Sequence, residues 1–287
     1  MIKAKATVRG AISIVNAIAL GKGAALGLDL KCEAYVELSK GKGEIVVEIE
    51  KEPLEDKNLV KEIVRRTLKN FGDKDYSVYV KTSSEIPIAK GLKSSSAISN
   101  AVSLALHGAL YDKFNDFDVI NLGVDASISY GVSITGAYDD ACASYFGGLV
   151  ITDNYERKLI KREALDELDV VILVPERKRY TKSVEKEIKA IKFLVEEAFN
   201  LSLKGEYFKA MTLNGLIYSM ALQESTAPVY EALKFGALGA GLSGKGPAIA
   251  ALCRAEDTKE IVDSFKKYGN NVIITKVNNR KAEVIRE

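Results

Sequence analysis

Segment 87–97 carries the residue types and the spacing that bind phosphate. Its sequence is PIAKGLKSSSA, and it lies between a strand-like run at 76–82 and a long helical pattern. A strand–turn–helix junction points unpaired backbone N–H groups and the positive end of a helix dipole at one small volume. Such a volume favours a phosphate group. The segment therefore predicts a loop that holds the polyphosphate of a nucleotide.

The three adjacent serines of this segment, Ser94, Ser95 and Ser96, have two interpretations. A serine hydroxyl can cap the start of a helix, which is a structural role. Three hydroxyls beside a Gly-Leu-Lys turn exceed what a single cap requires, and a hydroxyl can also hold a phosphate-bound cation. We favour nucleotide binding, with one of the hydroxyls also serving as the cap.

Two familiar nucleotide-binding motifs do not explain the chain. It has no GxxxxGK[ST] pattern, which excludes a P-loop kinase. Residues 239–244 read GAGLSG and match GxGxxG, but a dinucleotide-binding fingerprint requires a helix directly afterwards. Here a lysine, a glycine and a proline follow, and then a strand-like run. We therefore expect 239–247 to be a glycine-rich loop whose backbone can approach a ligand closely.

The adjacent acids Asp139 and Asp140 form a second candidate site. They lie in the sequence TGAYDDACAS, just before the Gly-Gly at 147–148. An acidic pair at the start of a helix or in a solvated turn is common. A carboxylate beside a phosphate loop can instead accept a proton from a reacting hydroxyl. The residue types alone leave both interpretations open.

Composition limits the kinds of partner and site. The chain has 287 residues, a net charge of +2 and 47% hydrophobic residues, which indicates a globular protein without the dense basic surface of a nucleic-acid binder. The single histidine, His107, excludes a multi-histidine metal site. Cys32, Cys142 and Cys253 are far apart and indicate reduced, buried thiols. With no signal-like segment and no apolar run of about 18–20 residues, we expect a cytoplasmic protein with no membrane partner.

Hydrophobic periodicity predicts strands interleaved with helices. Residues 31–39 and 44–50, separated by Gly-Lys-Gly, suggest a hairpin, and 21–27 is expected to be a loop because it is too glycine-rich for an ordinary helix. The clearest helix follows the phosphate loop, because apolar residues recur at i, i+3 and i+4 over 98–110. Beyond residue 154, strands with paired helices suggest a ferredoxin-like domain. Further helices are expected at 56–71, 118–130, 182–200, 207–223 and 257–268.

Together these features resemble the GHMP kinase superfamily. The family's second motif is usually written PxxxGLGSSAA, and this chain has PIAKGLKSSSA at 87–97. The third motif, a glycine-rich loop near the C-terminus, is matched at 239–247, and the first motif is met loosely by 10–27. The resemblance implies an α+β, two-domain GHMP kinase fold. Its first domain, at 1–154, would be ribosomal protein S5 domain 2-like, and its second, at 155–287, ferredoxin-like.

One departure from the family pattern narrows the resemblance. Lys93 replaces the second glycine of GLGSS, and the combination GLKSSSA, TGAYDDACAS and GLSGKGP looks like the archaeal-type shikimate kinases. That likeness implies shikimate as the small-molecule substrate, ATP as the phosphoryl donor and Mg²⁺ as the cofactor. Homoserine kinase or another GHMP kinase is an alternative, as is a non-catalytic nucleotide-binding sensor. RNA binding is a further alternative, because a ribosomal protein shares the first domain's fold, although the near-neutral charge argues against it.

The resemblance also implies roles for individual residues. Counting back seven residues from Gly147 places the family's catalytic aspartate, the base for the acceptor hydroxyl, at Asp140. Asp139 would then orient a lysine or the metal. Homoserine kinases lack this aspartate. Ser95, by its register in the motif, and Asp125 are the candidate magnesium ligands. The candidate ATP-binding residues are Pro87, Ile88, Ala89, Lys90, Gly91, Leu92, Lys93, Ser94, Ser95, Ser96 and Ala97.

The acceptor side of the site is less defined. Shikimate carries a carboxylate and hydroxyl groups, so its pocket should contain an arginine and several polar side chains. Arg9, Asn16 and the basic run at 177–179 are candidates, although a basic run is more often a solvated loop. The other substrate or loop candidates are Gly241, Ser243, Gly244 and Lys245.

Overall fold

The structure, a computed structural model, describes residues 1–50, 55–72, 75–131, 133, 135–177 and 185–287. The strands of this part of the chain are β1 (Ile2–Val15), β2 (Lys22–Lys40), β3 (Ile45–Ile49), β4 (Tyr76–Ser84), β5 (Leu149–Asp153), β6 (Lys158–Glu163), β7 (Asp169–Leu173), β8 (Gly239–Leu242), β9 (Ile249–Cys253), β10 (Val272–Lys276) and β11 (Glu283–Arg286). Its helices are α1 (Asn58–Phe71), α2 (Ser94–Leu110), α3 (Asp116–Ser129), α4 (Tyr138–Phe146), α5 (Glu185–Ala190), α6 (Lys192–Leu203), α7 (Tyr207–Ala221), α8 (Ala227–Lys234) and α9 (Thr258–Phe265).

The first sheet is built around the long strand β2. This strand pairs antiparallel with β1 on one edge, and with β5 and then β4 on the other edge. The strand order is β11-β1-β2-β4-β3, and β6 extends the sheet beyond β5. Ala34, Val36 and Leu38 of β2 are completely buried, whereas the residues between them are partly exposed. This alternation is the pattern of a sheet with one face on the core, which here is covered by α2 and α4.

The expectation of a loop at 21–27 was wrong. Lys22 begins β2, and residues 22–26 pair with β5 while residues from Ala24 onward also pair with β1. Gly23 lets the backbone of β2 pack closely against Asp139 and does not form a turn, since a Cβ on Gly23 would lie only 2.6 Å from Oδ2 of Asp139. The strand therefore passes directly beside an acid of the candidate site.

The predicted hairpin between 31–39 and 44–50 was also wrong. β3 pairs in parallel with β4, and β4 lies between β3 and β2. A short glycine-containing connection favours a hairpin when only the local sequence is considered. The pairing is instead decided by β4, which lies farther along the chain and takes the edge of β2 that the hairpin would have used.

Helix α2 is confirmed, and it begins inside the predicted phosphate loop. Nearly all of its side chains are buried, so its apolar residues form part of a helix covered on all sides rather than a single buried stripe. The small alanine, serine and glycine residues of α2 allow β1, α1, α3 and α4 to pack closely around the helix. Helix α2 is therefore a rigid support behind the loop that precedes it.

The second sheet is antiparallel and has the strand order β10-β7-β9-β8. Helix α7 packs on β8, and α9 packs on β7. The succession of strands and helices and their spatial order are those of a ferredoxin-like domain. The predicted α+β class and the ferredoxin-like second domain are confirmed.

The first sheet does not end at residue 154. Strand β6 joins it through β5, and β11 returns from the C-terminus to pair with β1. The domain ranges 1–154 and 155–287 stay a prediction, and the first sheet takes strands from both of them. Of the helix expected at 182–200, residues 182–184 lie outside the described residues, and the remainder forms α5 and α6, which are separated at Ile191.

Candidate active site

A cavity of about 650 Å³ is lined by residues from both domains. Its walls come from segment 87–97 with the start of α2, from the start of α4, and from the loop after β8. The cavity also reaches β3 and α1 through Ile49 and Leu59. This volume is typical of pockets that enclose small ligands and cofactors. The phosphate loop, the acidic pair and the glycine-rich loop therefore converge on one space.

The open end of α2 faces this cavity. The helix begins at Ser94, and no side chain caps it. Its first intrahelical hydrogen bond runs from the Ala97 nitrogen to the Lys93 carbonyl at 3.0 Å, so the N–H groups of the three serines have no intrahelical partner. The expectation that a serine hydroxyl caps the helix was wrong. Free N–H groups at the positive end of the helix dipole favour a phosphate.

The residues of the predicted phosphate loop divide into two sets. Leu92 and Ala97 are completely buried in the core, and Pro87 and Lys90 also lie outside the cavity wall. These residues support the loop from behind. The members that line the cavity are Ile88, Ala89, Gly91, Lys93, Ser94, Ser95 and Ser96.

Gly91 joins the phosphate loop to the glycine-rich loop of the second domain. The Ser243 hydroxyl donates a hydrogen bond to the Gly91 carbonyl at 2.7 Å and accepts one from the Ser13 nitrogen at 3.2 Å. Gly91 has a φ of +88°, and a Cβ there would lie 2.2 Å from the Ser243 carbonyl oxygen. Only glycine fits this contact. Ser243 thus positions the loop from behind the cavity wall.

Lys93 forms an ion pair with Asp140. Its Nζ lies 2.9 Å from Oδ1 of Asp140, and the two side chains are only 9% and 12% exposed. Lys93 also has a left-handed backbone conformation, with a φ of 64°, which explains why the family motif usually has glycine at this position. The ammonium group therefore stabilises negative charge on Asp140 and stands beside the open end of α2.

Asp139 is held by a separate set of hydrogen bonds. Asn154 donates from Nδ2 to Oδ1 of Asp139 at 2.8 Å, and its Oδ1 accepts from the Asp139 nitrogen at 3.2 Å. The Thr152 hydroxyl donates to the same amide oxygen at 2.7 Å and so fixes the orientation of Asn154. Burial and the neighbouring charge of Asp140 raise the pKa of Asp139 to about 7, although Lys93 and Asn154 oppose this shift.

Lys245 brings a second ammonium group to the cavity from the second domain. Burial and the positive charge of Lys93 lower the pKa of Lys245 to about 8, and Asp140 acts in the opposite direction. The loop that carries Lys245 touches Lys93, since a Cβ on Gly244 would lie 3.0 Å from the Lys93 ammonium nitrogen. Two cations in one largely buried space favour the binding of a polyanion.

Asn16 presents a hydrogen-bond donor at the cavity wall. Its Oδ1 accepts from the Ile18 nitrogen at 3.1 Å, which fixes the orientation of the amide, and within the described residues its buried Nδ2 has no acceptor. The amide of Asn214 on α7 is fixed in a similar way, because its Oδ1 accepts from the Asn16 nitrogen at 3.0 Å. Its buried Nδ2 also has no acceptor among the described residues. Buried donors without a partner mark positions where a ligand or a water binds.

The predicted arginines do not reach the cavity. Arg9 is 3% exposed, and its Nε donates to Oδ1 of Asp29 at 3.0 Å, so it braces two strands instead of binding an acceptor carboxylate. Arg177 is paired with Glu224 and does not line the cavity. Lys178 and Arg179 lie outside the described residues.

Of the two magnesium ligands expected from the sequence, Ser95 lines the cavity and Asp125 does not. Asp125 is paired with Arg157 and lies outside the cavity wall, so the structure does not bring it to the phosphate loop. The described part of the chain has no group of three or more His, Cys, Asp or Glu side chains that could hold a metal. Magnesium usually takes one or two carboxylates together with substrate phosphates. Ser95 and Asp139 line the same cavity and fit an ion shared with phosphates.

Residues that orient the site from behind were not anticipated from the sequence. Asn154 holds Asp139, and the Tyr218 hydroxyl donates to the Asn16 carbonyl at 3.2 Å. These residues lie outside the glycine-rich motifs, and the position of Asn154 directly after a strand was its only local signal. The loop candidate Gly241 instead lies in β8, where a Cβ would come within 2.7 Å of the backbone of α7, which makes it a packing position.

The sequence of this chain matches models of a known family and several known proteins. Residues 58–148 match the GHMP kinases N terminal domain, and residues 182–271 match the GHMP kinases C terminal domain. A shikimate kinase from Methanothrix thermoacetophila is 42% identical over 97% of this chain and 95% of its own length. A shikimate kinase from Pyrococcus furiosus is 45% identical over 92% of this chain and 96% of its own length. The chain belongs to the GHMP kinase family. Within that family, these two relatives are archaeal shikimate kinases.

Solved structures have the same fold. The homoserine kinase from Cytophaga hutchinsonii has a TM-score of 0.79 at 20% identity and covers 99% of this chain and 97% of its own. The L. major mevalonate kinase in complex with R-mevalonate has a TM-score of 0.74 at 17% identity and covers 96% of each chain. These likenesses concern the fold alone, and they confirm the predicted two-domain GHMP kinase fold.

Proposed function

We propose that this protein is a shikimate kinase, which transfers the γ-phosphoryl group of ATP to the 3-hydroxyl of shikimate and forms 3-phosphoshikimate and ADP. The relatives at 42% and 45% identity support shikimate as the acceptor. One structural observation supports the chemistry above all: the Lys93–Asp140 ion pair stands beside the uncapped start of α2. A carboxylate that can accept a proton and a site for phosphate are thereby placed in one cavity.

The nucleotide's polyphosphate would bind at the start of α2. The N–H groups of Ser94, Ser95 and Ser96 would donate to phosphate oxygens, and the ammonium groups of Lys93 and Lys245 would offset their charge. The part of the cavity that reaches β3 and α1 is lined by Ile49, Leu59 and Val60 together with Glu55 and Asp56, and it would accept the base. Positioning and charge neutralisation are the main contributions that a protein makes to phosphoryl transfer.

The acceptor would bind beside Asn16. Its unpaired amide donor at the cavity wall suits a hydroxyl or carboxylate oxygen, and Asn214 holds the Asn16 backbone from behind. No arginine of the described part of the chain lines the cavity. The acceptor carboxylate would therefore rely on neutral donors such as the Asn16 amide, because the ammonium groups of Lys93 and Lys245 are assigned to the phosphates.

In the transfer step, the acceptor oxygen would form a bond to the γ-phosphorus as the bond from that phosphorus to the β,γ-bridging oxygen breaks. The hydroxyl proton would pass to the carboxylate of Asp140, and ADP would leave with the bridging oxygen. Lys93, which is paired with Asp140 in the structure, would also stand close enough to the phosphate site to offset the charge of the group in transfer.

Mg²⁺ is the cofactor that we propose for this site. When bound, it would offset phosphate charge and hold the phosphates in a geometry suited to in-line attack. Among the described residues, the Ser95 hydroxyl and the Asp139 carboxylate are the donors that would hold it. Asp139 is already oriented for such a role by Asn154.

We retain a cytoplasmic location and the absence of a nucleic-acid partner as predictions. The three cysteines are buried and free, in keeping with a reducing compartment. A net charge of +2 does not indicate the dense basic surface that nucleic-acid binders usually carry. No helix in the described ranges is long and apolar enough to cross a membrane.

An ADP-release assay with a panel of acceptors tests the proposal. Purified protein with ATP and Mg²⁺ should release ADP in the presence of shikimate, and not with homoserine, mevalonate or galactose. ADP release with homoserine but not shikimate would overturn the assignment in favour of the sister activity. Tight ATP binding with no ADP release for any acceptor would instead favour a nucleotide sensor.

A further inference from the structure

Lys90 lies within the phosphate loop, but its side chain is directed at the second domain. The residue is 8% exposed and does not line the cavity. Its Nζ donates hydrogen bonds to the carbonyl oxygens of Pro175 at 2.5 Å and of Arg177 at 2.8 Å, and also to the carbonyl of Glu176. An ammonium group has three N–H donors, so three successive carbonyls match its full donor capacity.

The backbone beside Lys90 is fixed to the same domain. The Ala248 nitrogen donates to the Lys90 carbonyl at 3.0 Å, and the Ser243 hydroxyl donates to the Gly91 carbonyl at 2.7 Å. Residues 90–91 are therefore bound at once to the glycine-rich loop through their backbone and to segment 175–177 through the Lys90 side chain. The turn that precedes α2 is seated on two separate parts of the second domain.

Segment 175–177 is also held in place by a second contact, through the side chain of Arg177. The guanidinium group of Arg177 is paired with the carboxylate of Glu224, whose side chain is only 4% exposed. The segment begins two residues after the end of β7, which is one of the two inner strands of the second sheet. A continuous path of contacts therefore runs from the turn at Lys90 through 175–177 to Glu224, in the connection between α7 and α8.

This geometry differs from what a phosphate ligand would show. A lysine that binds phosphate presents its ammonium group to the ligand site, as Lys93 and Lys245 do in this cavity. The Lys90 ammonium instead lies among backbone carbonyls behind the loop. Charged donors make stronger hydrogen bonds than neutral ones, and removing one partner of such a buried group leaves the others unsatisfied.

We propose that Lys90 is a positioning residue that fastens the phosphate loop to segment 175–177, and that this clamp holds the open end of α2 in its phosphate-binding geometry. The proposal rests on the proposed kinase function, because its catalytic effect is measured on that reaction. Lys90 itself contacts neither the nucleotide nor the acceptor. Its removal lets the loop and the segment move apart, which weakens the binding of every phosphate-bearing nucleotide.

The variant Lys90→Met tests the clamp, with Lys259→Met as the matched control. Lys259 is a solvent-exposed lysine on α9, so its replacement removes the same charge far from the loop. We expect Lys90→Met to lower kcat/KM with shikimate by ~100-fold, since small misplacements of binding groups have effects of this size. ATP and ADP affinities should fall by the same factor. A loss for ATP that clearly exceeds the loss for ADP would mean that Lys90 touches the terminal phosphate, and would overturn the proposal.

A second variant, Arg177→Gln, releases the same segment from its other anchor without altering the loop. If both residues act through segment 175–177, the double variant should be little worse than Lys90→Met alone. Hydrogen exchange of peptides that end near residue 177 should also accelerate in Lys90→Met and not in Lys259→Met. Fully additive losses, or exchange and kinetics unchanged in Lys90→Met, would overturn the proposal.

The nucleotide-affinity and hydrogen-exchange measurements also separate this proposal from the proposed function. If the unmodified protein releases no ADP with shikimate, the functional assignment fails, but the clamp is still tested by both. If the unmodified protein is an active shikimate kinase and Lys90→Met matches it in both measurements, the clamp alone fails.

Discussion

The ammonium nitrogen of Lys93 lies 2.9 Å from Oδ1 of Asp140, and the pair is largely shielded from solvent. Lys93 is also the residue that precedes the first turn of α2, where its backbone takes a left-handed conformation. One residue thus joins the start of α2, where we propose that phosphate binds, to the proposed catalytic carboxylate. The chain accepts an unfavourable backbone conformation at this position, of the order of 1–2 kcal/mol for a residue with a side chain.

Two substitutions of Lys93 distinguish the effect of its ammonium charge from the effect of its left-handed backbone conformation. Lys93→Gly relieves the left-handed strain but removes the ammonium group, whereas Lys93→Met removes the ammonium and keeps the strain. Both variants should lose about 100-fold or more in kcat, a loss typical of removing a group that stabilises transition-state charge. Lys93→Gly should be the more stable of the two by roughly 1 kcal/mol in urea unfolding. Wild-type kcat in Lys93→Gly would contradict a role for the ammonium.

Replacing Asp140 tests the proposed base. Asp140→Asn keeps the shape of the side chain but removes its ability to accept a proton. We expect turnover to fall by at least about 100-fold, in line with the contribution of general bases. ATP affinity, measured by calorimetry, should stay within a few-fold because the role proposed for Asp140 concerns the acceptor hydroxyl. Turnover close to that of the wild type would remove Asp140 from the mechanism.

The pKa of Lys245 predicts how nucleotide affinity depends on pH. Burial and Lys93 lower this pKa to about 8, so about half of the Lys245 side chains have lost their proton at that pH and most have lost it above. A bound polyphosphate stabilises the protonated form, which means that ATP binding takes up protons and weakens as the pH rises above about 8.

Calorimetric titration with ATP, in buffers of different ionisation enthalpy, measures this linkage directly. Lys245→Met should bind ATP more weakly near neutral pH and should lose the decline in affinity that the wild type shows above about pH 8. An unchanged decline in Lys245→Met would show that another group titrates.

Gly91 offers a prediction with a matched control elsewhere in the chain. Gly91 and Gly72 both have a positive φ, but a Cβ on Gly91 would lie 2.2 Å from a backbone oxygen, whereas a Cβ on Gly72 would meet nothing within 4 Å. Gly72→Ala should therefore lower the free energy of unfolding only by the cost of the left-handed backbone conformation, about 1 kcal/mol.

Gly91→Ala should lose more stability than Gly72→Ala and, in addition, raise the KM for ATP by roughly 10-fold or more, because it separates the two loops that form the phosphate site. Urea unfolding and ATP kinetics measure both effects. Equal stability losses in the two variants, with an unchanged KM, would contradict the importance of this contact.

The parts of the site that follow from local sequence were predictable. Helix α2 has a clear period, and a glycine-containing turn precedes its three serines, so the start of the helix could be located to within a few residues. Lys93 could be singled out because it replaces a glycine of the family motif. Its ion pair with Asp140 could not be foreseen, since the two residues meet only through the fold.

The features that were missed depend on contacts between distant segments. Arg9 looked suitable for an acceptor carboxylate, but Asp29 on the neighbouring strand takes up its side chain. Lys90 and Lys93 belong to one short segment, and no local signal shows that one faces carbonyls of the second domain while the other faces the cavity. The glycines at the start of β2 suggested a loop because the contacts that require them lie on other segments: Gly23 packs against Asp139, and Gly27 packs against the Asn278 carbonyl.

The central claim is that this kinase phosphorylates shikimate in preference to the acceptors of its sister enzymes. The most direct measurement is a competition in which shikimate and homoserine are present in equal amounts and ATP is limiting, with the products identified by mass spectrometry and phosphorus NMR. The account predicts that the transferred phosphate is recovered as 3-phosphoshikimate. Recovery of the phosphate as phosphohomoserine would contradict it.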